Sequence, residues 1–154
     1  MDDIIEQLKN YTVLCVEDED GIRKRLVNTL KYYFAEVFEA SNGEEGYELY
    51  YENKPTIIIS DIEMPQRNGI QMVSDIRKDD LSTIIIMLTA YSSEEYLLNL
   101  INLNINHYIL KPVTSENLLN GIIKAFGNRL EKKIKFAEDI YFNMNHRELY
   151  YKNE

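Results

Sequence analysis

The sequence has little of what marks secreted, membrane or nucleic-acid-binding proteins. Its 154 residues include a single cysteine, Cys15, which excludes an intramolecular disulfide and favours a reducing compartment. No apolar run approaches the roughly 20 residues of a membrane-spanning helix. The start, Met1-Asp2-Asp3, is acidic and lacks the basic region of a signal peptide. Basic residues number 17 against 26 acids, so charge alone would not hold nucleic acid. We expect a cytoplasmic protein with no membrane partner.

Cysteine and histidine offer little chemistry in this chain. Cys15 lies inside the first apolar run, where buried packing is the simpler interpretation than redox activity. The two histidines, His107 and His146, are too few and too scattered for a metal or phosphorelay site. Any active chemistry is therefore expected from carboxylates, hydroxyls and lysines.

Strand-like and helix-like patterns alternate over the first 126 residues. Segments with helical spacing cover 20–35, 44–53, 69–78 and 92–103, and Thr114 or Ser115 would cap a last helix. Alternation of this kind predicts an α/β fold, a doubly wound parallel sheet with right-handed crossovers. The predicted strands are Thr12–Val16, Glu36–Ala40, Thr56–Ser60, Thr83–Leu88 and His107–Leu110.

Four of the predicted strands lead into residues that phosphoryl chemistry uses. They run into Glu17-Asp18, Asp61, Thr89-Ala90 and Lys111-Pro112. In an open parallel sheet the carboxyl ends of the central strands face one crevice, where ligands bind. If the strands are neighbours, three carboxylates, a hydroxyl and an ammonium share one cavity.

Three carboxylates packed together repel one another unless a cation lies among them. Mg²⁺ suits such a set, because it prefers oxygen ligands in an octahedral arrangement and retains water. Asp18 and Asp61 would be direct ligands, together with the backbone carbonyl of Glu63, and Glu17 would reach the ion through water. The alternative for the run Glu17–Asp20 is a solvated acidic turn that begins a helix.

Asp61 follows a strongly apolar strand, where a carboxylate is costly without partners. It is either a cap for the following loop or a nucleophile that takes up a phosphoryl group. A cap would need neither Thr89 nor Lys111, whereas phosphoryl oxygens need a hydroxyl donor, a cationic donor and a metal. Backbone amides near Ile62, Glu63 and Ala90 would add further donors. The Lys111-Pro112 bond is a candidate for the cis form.

Four motifs resemble those of the receiver (CheY-like) domain of two-component response regulators. They are V-E-D-E at 16–19, S-D-I-E-M-P-x-x-N-G at 60–69, L-T-A at 88–90 and Y-I-L-K-P at 108–112. The resemblance covers about residues 10–126 and implies a flavodoxin-like, five-stranded sheet of order 2-1-3-4-5, the order that is typical of CheY.

The resemblance further implies a signalling switch rather than an enzyme. Asp61 would accept phosphate from a sensor histidine kinase with Mg²⁺, and at most the domain would catalyse its own phosphotransfer and dephosphorylation. Thr89 would move toward the phosphoryl group and Tyr108 would turn inward. The face formed by the fourth predicted helix, the fifth strand and the fifth predicted helix would then change its preferred partner.

The end of the sequence resembles another kind of domain. Residues 138–154 are similar to the opening strands of winged-helix (OmpR-type) effectors, after a receiver at 1–126 and a linker or helix extension at 127–137. DNA binding would then need an effector that this sequence does not contain in full. Relatives of that type often dimerise through an acidic pair, and Asn106 and His107 stand at those places here. We therefore expect a homodimer through that face either to be weakened or to use different contacts.

Other functions are compatible with parts of the pattern. A Mg²⁺-dependent aspartyl phosphatase would want a second aspartate two places after the nucleophile, where Glu63 stands. A flavin-binding carrier needs a phosphate-cradling first loop, which the acids of Glu17–Asp20 would oppose. A receiver that signals without phosphate would not need all five cavity residues. A stand-alone receiver acting through protein contacts is the main alternative to a transcription factor.

Overall fold

A computed structural model of the chain describes residues 2–64, 66–90 and 94–127, with the side chains of Asp2 and 94–97 left out. The expected effector segment at 138–154 and nearly all of the expected linker lie outside these residues. The described elements, in chain order, are α1 (Asp2–Leu8), β1 (Thr12–Val16), α2 (Asp20–Lys31), β2 (Glu36–Ala40), α3 (Gly43–Asn53), β3 (Ile57–Asp61), α4 (Gly69–Arg77), β4 (Ile84–Thr89), α5 (Glu94–Asn102), β5 (His107–Leu110) and α6 (115–127).

The sheet has the predicted architecture. Its five strands are all parallel and lie in the order β2-β1-β3-β4-β5, which confirms the doubly wound fold. The order reverses direction after β1, so the crevice beside β1 and β3 is the switch point at which such folds bind ligands. Val16 pairs with Ser60, and Asp61 pairs with Leu88, so the ends of three strands lie side by side.

The central strands are buried on both faces, as their continuous apolar sequences predict. All residues of β3 and β4 are buried, including Asp61 and Thr89 at their ends. Side chains on one face of the sheet pack with α1, α2 and α6, and those on the other face pack with α3, α4 and α5. Cys15 is fully buried in the first of these layers, which confirms its packing role.

Side-chain caps begin the helices that leave the crevice. The Asn68 side chain accepts from the Gln71 amide at 2.9 Å, and the Gln71 side chain accepts from the Asn68 amide at 3.1 Å, a reciprocal capping box. Thr114 accepts from the Asn117 amide at 3.1 Å, so it is the cap of α6. These caps fix where the loops that border the crevice end.

The structure departs from the sequence prediction mainly at element ends. Strands β3 and β4 each extend through the polar residue that follows the apolar run, because Asp61 and Thr89 still pair with their neighbours. Helix α1 has only seven residues and was not predicted. Leu8 of α1 is fully buried in the core. Helix α2 ends at Lys31, earlier than predicted.

No helix within the described ranges is both long and apolar enough to cross a membrane.

Candidate functional site

The three predicted acids meet at the carboxyl ends of β1 and β3. Ligand oxygens of Glu17, Asp18 and Asp61 all lie within 4.8 Å of one another. Glu17 and Asp61 are buried, with 1% and 5% of their surface exposed, whereas Asp18 is exposed. This arrangement follows from the strand register, because β1 and β3 are parallel neighbours and their carboxyl ends lie side by side.

Lys111 enters the same site from the end of β5. Its Nζ donates to Oδ2 of Asp61 at 2.8 Å. The Lys111-Pro112 peptide bond is cis, and the Lys111 amide donates to the Thr89 carbonyl at 2.8 Å. The charges of Asp61, Glu17 and Asp18 raise the pKa of Lys111, although burial alone would lower it. The ammonium is therefore held in its charged form beside Asp61.

The predicted residues line one cavity of about 170 Å³. It opens at the edge of the sheet and brings together carboxylates, a hydroxyl, an ammonium and loop backbone. Its lining residues are Glu17, Asp18, Glu19, Asp61, Ile62, Glu63, Thr89, Ala90 and Lys111. The convergence expected from the sequence is therefore present in the fold.

Glu17 carries the clearest sign of electrostatic strain in the site. Burial, together with the carboxyl contact and charge of Asp61, raises its pKa to about 8, and Lys111 only partly opposes this. Its Oε2 is buried and has no hydrogen-bond partner among the described residues. Buried carboxylates of this kind are unfavourable without a cation. The available ligand atoms are all oxygens, and three residues supply them from carboxylates. Such a set suits a hard divalent ion such as Mg²⁺.

The loop after Asp61 turns tightly around that residue. The Ile62 amide donates to Oδ1 of Asp61 at 2.8 Å, and the Gly69 amide donates to the Ile62 carbonyl at 2.8 Å. A Cβ atom on Gly69 would lie 2.1 Å from the Asp61 carbonyl oxygen, so only glycine allows this approach. Both the beginning and the end of the loop therefore lie next to Asp61.

Two arginines near the site make contacts that the sequence interpretation missed. Arg23 on α2 donates through Nη1 to the Glu17 carbonyl at 2.8 Å and pairs with Asp20 and Glu39. Arg67 lies in the loop between β3 and α4 and pairs with residues of both neighbouring helices. The sequence offered only one signal for these arginines, a basic residue among many acidic ones. That signal does not identify the residue with which the arginine pairs.

Tyr108 lies outside the cavity, on the exposed side of β5. It is 39% exposed and its ring stacks on that of His107, with 6.0 Å between the centroids. A groove of about 430 Å³ beside it is lined by residues of α5, β5 and the connection between them, among them Leu100, Ile101 and Ile105. The face predicted as the fourth helix, fifth strand and fifth helix corresponds to α5, β5 and α6.

Three curated relatives are similar to this chain. CheY from Halobacterium salinarum, a chemotaxis protein, is 34% identical over 110 residues, covering 71% of this chain and 92% of its own length. The transcriptional regulatory protein SrrA from Staphylococcus aureus is 37% identical over 107 residues, which cover 70% of this chain and 44% of SrrA. Histidine kinase P4 from Formosa agariphila is 32% identical over 140 residues. These cover 89% of this chain and 10% of the kinase.

Solved structures of similar fold include two chemotaxis proteins. CheY4 from Vibrio cholerae superposes with a TM-score of 0.70 at 29% identity, covering 75% of this chain and 98% of CheY4. CheY from Borrelia burgdorferi, solved in a complex with CheX, BeF₃ and Mg²⁺, gives a TM-score of 0.71 at 26% identity. That match covers 75% of this chain and 89% of the other.

The relatives differ in length and overall role but share one domain with this chain. Residues 13–123 match the family described as the response regulator receiver domain. They include four strands of the sheet in full, all of β1 except its first residue, and all nine residues that line the cavity. The chain therefore belongs to the receiver domain family of two-component response regulators.

Proposed function

We propose that this chain is a phosphorylation-dependent switch in which Asp61 accepts a phosphoryl group from a sensor histidine kinase. The observation that carries the proposal is the 2.8 Å contact between Lys111 Nζ and the Asp61 carboxylate, inside a cavity that also holds Glu17 and Asp18. A carboxylate that served only as a cap would need neither a cationic partner on one side nor two acids on the other.

The acidic cluster is proposed to hold Mg²⁺. Asp18, Asp61 and the Glu63 carbonyl would be direct ligands, and Glu17 would act through water. When bound, the ion would neutralise the carboxylates and the developing charge on the phosphoryl oxygens. Support comes from the close oxygen cluster and from the buried, unpartnered oxygen of Glu17, and from the Mg²⁺ in the complex of the similar CheY.

The phosphoryl transfer uses few protein groups. An oxygen of the Asp61 carboxylate attacks the phosphorus, the phosphorus–nitrogen bond to the kinase histidine breaks, and its electron pair leaves with the imidazole. Lys111 then exchanges its contact with Asp61 for a phosphoryl oxygen. The Thr89 hydroxyl donates to a second oxygen, and backbone amides of Ile62, Glu63 and Ala90 supply further donors.

The output is a change of the α5–β5–α6 face. Movement of Thr89 toward the phosphoryl group would vacate space that Tyr108 fills by turning inward. New charge-assisted bonds of this kind supply roughly 1–3 kcal/mol of coupling, enough to shift a two-state equilibrium. We further propose that the altered face binds a second copy of this chain, since apolar side chains are exposed on it.

Transcriptional control is the proposed cellular role. It is supported by the similarity to SrrA, of which this chain spans less than half. In this proposal residues 1–126 form the receiver, 127–137 a linker or helix extension, and 138–154 the beginning of a winged-helix effector that contacts DNA. The protein would act in the cytoplasm and would at most catalyse its own phosphotransfer and dephosphorylation, as a switch rather than an enzyme.

The test uses the phosphoryl mimic beryllofluoride. We expect it to bind the wild type only when Mg²⁺ is present, and Asp61→Asn to abolish binding because the carboxylate is lost. Asp79→Asn, which changes an exposed aspartate in the turn between α4 and β4, is the matched control and should bind normally. Fluorine NMR measures bound fluoride directly. Binding that survives in Asp61→Asn would contradict the assignment of the acceptor.

A second assay separates the switch from a phosphatase. Incubation with phosphomonoesters should release no more than about one phosphate per protein molecule, because Glu63 stands where a phosphatase would place its acid. Many turnovers at an appreciable rate would favour the enzyme instead.

A further inference from the structure

Arg67 connects the loop after β3 to two helices. Its guanidinium carbon lies 4.9 Å from the centre of the Tyr47 ring on α3, within cation–π distance. Its Nε lies 3.5 Å from Oε2 of Glu44 at the beginning of α3 and 3.7 Å from Oδ2 of Asp75 on α4. None of the residues that line the described cavity comes from α3. These contacts therefore link the loop to an element outside the site.

The guanidinium is held there at a cost. The Arg67 side chain is 27% exposed, and its Nη1 is buried without an acceptor among the described residues. A buried donor left without a partner is destabilising. The contact with the Tyr47 ring and the two ion pairs of Nε, which are longer than 3.4 Å, do not supply the missing acceptor for Nη1. An arginine with an unpaired buried donor would contribute poorly to stability at this position. Its presence therefore indicates a role in the geometry of the loop.

The backbone of Arg67 is in equally close contact with α3. A Cβ atom on Gly43, the first residue of α3, would lie 1.9 Å from the Arg67 carbonyl oxygen. Two residues further along the chain than Arg67, Gly69, the first residue of α4, packs against the Asp61 carbonyl, as described above. The loop is thus pressed against α3 at one point and against β3 at another. The Glu63 carbonyl lies between the strand and the Arg67 contact along the chain.

We propose that Arg67 is a positioning residue for the cation site. By holding its loop on α3 it fixes the Glu63 carbonyl relative to Asp18 and Asp61. The inference rests on the proposed function, because it concerns the same cation. It adds that cation affinity depends on Tyr47 and Glu44 of α3, which do not line the cavity.

Simple electrostatics makes the opposite prediction. Removing a positive charge near an acidic site should tighten the binding of a cation. Loss of a positioning contact should weaken it, since removal of a group that orients a metal ligand typically costs 10–100-fold in affinity. The direction of change in the affinity for Mg²⁺ therefore separates the two explanations.

The experiment compares three variants of the full chain. Arg67→Met removes the charge and keeps the aliphatic length, and Arg67→Lys keeps the charge but loses the planar group. Lys78→Met is the matched control, because Lys78 also pairs with Asp75, at 3.2 Å, but is 70% exposed and makes no ion pair with the described residues of the loop. Calorimetry gives the Kd for Mg²⁺, and thermal unfolding in EDTA reports stability without the ion. We expect Arg67→Met to raise the Kd about tenfold and Arg67→Lys to raise it less, with Lys78→Met within about twofold of the wild type.

A kinetic measurement distinguishes positioning from a general loss of stability. With acetyl phosphate as donor, Arg67→Met should need about tenfold more Mg²⁺ for half-maximal phosphorylation, and the rate at saturating Mg²⁺ should return close to that of the wild type. A merely structural role would lower the Tm and leave the half-saturating concentration unchanged.

The outcomes are separable. If the wild type binds Mg²⁺ and Arg67→Met binds it equally or more tightly, this inference is overturned and the proposed function stands. If Arg67→Met does not unfold cooperatively, Arg67→Lys decides by the same criterion. A wild type that does not bind Mg²⁺ would overturn both.

Discussion

At the scale of single residues, the site consists of charged groups whose burial would be unfavourable for each group alone and is tolerated because opposite charges lie together. Glu17 and Asp61 are almost completely buried, and Lys111 neutralises only part of their charge. Residue type and position at the end of a strand were enough to predict all of these groups. The arginines were not predictable, because Arg23 and Arg67 act through contacts with carbonyls and helices that are remote in sequence.

The first prediction concerns Glu17 in the protein without metal. Its pKa is raised from 4.5 to about 8, so between these values only the folded state holds the proton, and unfolding releases it. The stabilising contribution is complete below pH 4.5 and is lost as the pH rises through about 8. We expect Glu17→Gln to remove this loss, so that the variant loses roughly 3–4 kcal/mol less than the wild type between pH 5 and pH 8.

Urea unfolding in EDTA at the two pH values measures this difference. Glu48→Gln, which changes an exposed glutamate on α3, is the matched control and should keep the pH dependence of the wild type. An identical pH dependence in Glu17→Gln and the wild type would show that Glu17 is not the strained carboxyl.

At the scale of elements, the sequence predicted the existence, type and order of the β-strands, because the continuous apolar runs of a buried parallel sheet are distinctive. Strands β1, β2 and β5 have the predicted bounds. The ends of β3 and β4 were predicted too early, since the apolar run stops before the backbone pairing does. Helix α1 was missed because seven residues give too short a pattern, and its burial of Leu8 depends on tertiary contacts.

The turn between α4 and β4 contains a stabilising network of hydrogen bonds that the sequence pattern did not predict. The Asp80 carboxylate accepts from the Tyr50 hydroxyl at 2.7 Å, the Ser82 amide at 2.8 Å, and both the amide and the hydroxyl of Thr83. Arg77 Nη1 donates to the Asp80 carbonyl at 3.0 Å. Residues from α3, from the end of α4 and from the segment just before β4 therefore converge on one residue, Asp80.

The second prediction concerns Asp80. Burial alone would raise its pKa, but bonds from Thr83 and Tyr50 and from the amides of Thr83 and Ser82 lower it. Its contribution is therefore present above its unfolded pKa of about 3.8 and is lost as the pH falls through the lower folded value. Asp80→Asn should lower the free energy of unfolding by roughly 2 kcal/mol at pH 7, because an amide cannot accept all of these bonds.

Chemical denaturation at pH 7 tests this, with Asp79→Asn as the exposed neighbouring control, for which a change within about 0.5 kcal/mol is expected. Equal effects of the two substitutions would mean that the Asp80 bonds contribute nothing beyond surface charge.

At the scale of the whole molecule, the two edges of the sheet have different surfaces. Between residues 36 and 53, around β2 and α3, the sequence carries six glutamates and no lysine or arginine. The α5–β5–α6 face instead exposes apolar side chains: Leu98, Ile101, Tyr108 and Leu110. The Asn106 side chain accepts from the Ile85 amide at 2.9 Å and from Arg77 Nη2 at 3.3 Å, so it is turned into the fold. A contact through this face would thus depend on apolar burial.

The last prediction concerns that contact. If the face pairs two copies of the phosphorylated chain, then Ile101→Glu should prevent dimer formation, because a carboxylate would be buried without a partner. Ile101 is 68% exposed in the monomer, so the substitution should leave the Tm nearly unchanged. Leu81→Glu is the control, since Leu81 is 74% exposed but lies in the turn before β4, away from this face. Sedimentation velocity with beryllofluoride and Mg²⁺ should give dimers for the wild type and Leu81→Glu and monomers for Ile101→Glu. Dimers of Ile101→Glu, or monomers of the wild type, would mean that the switch delivers its signal to a different partner or through a different surface.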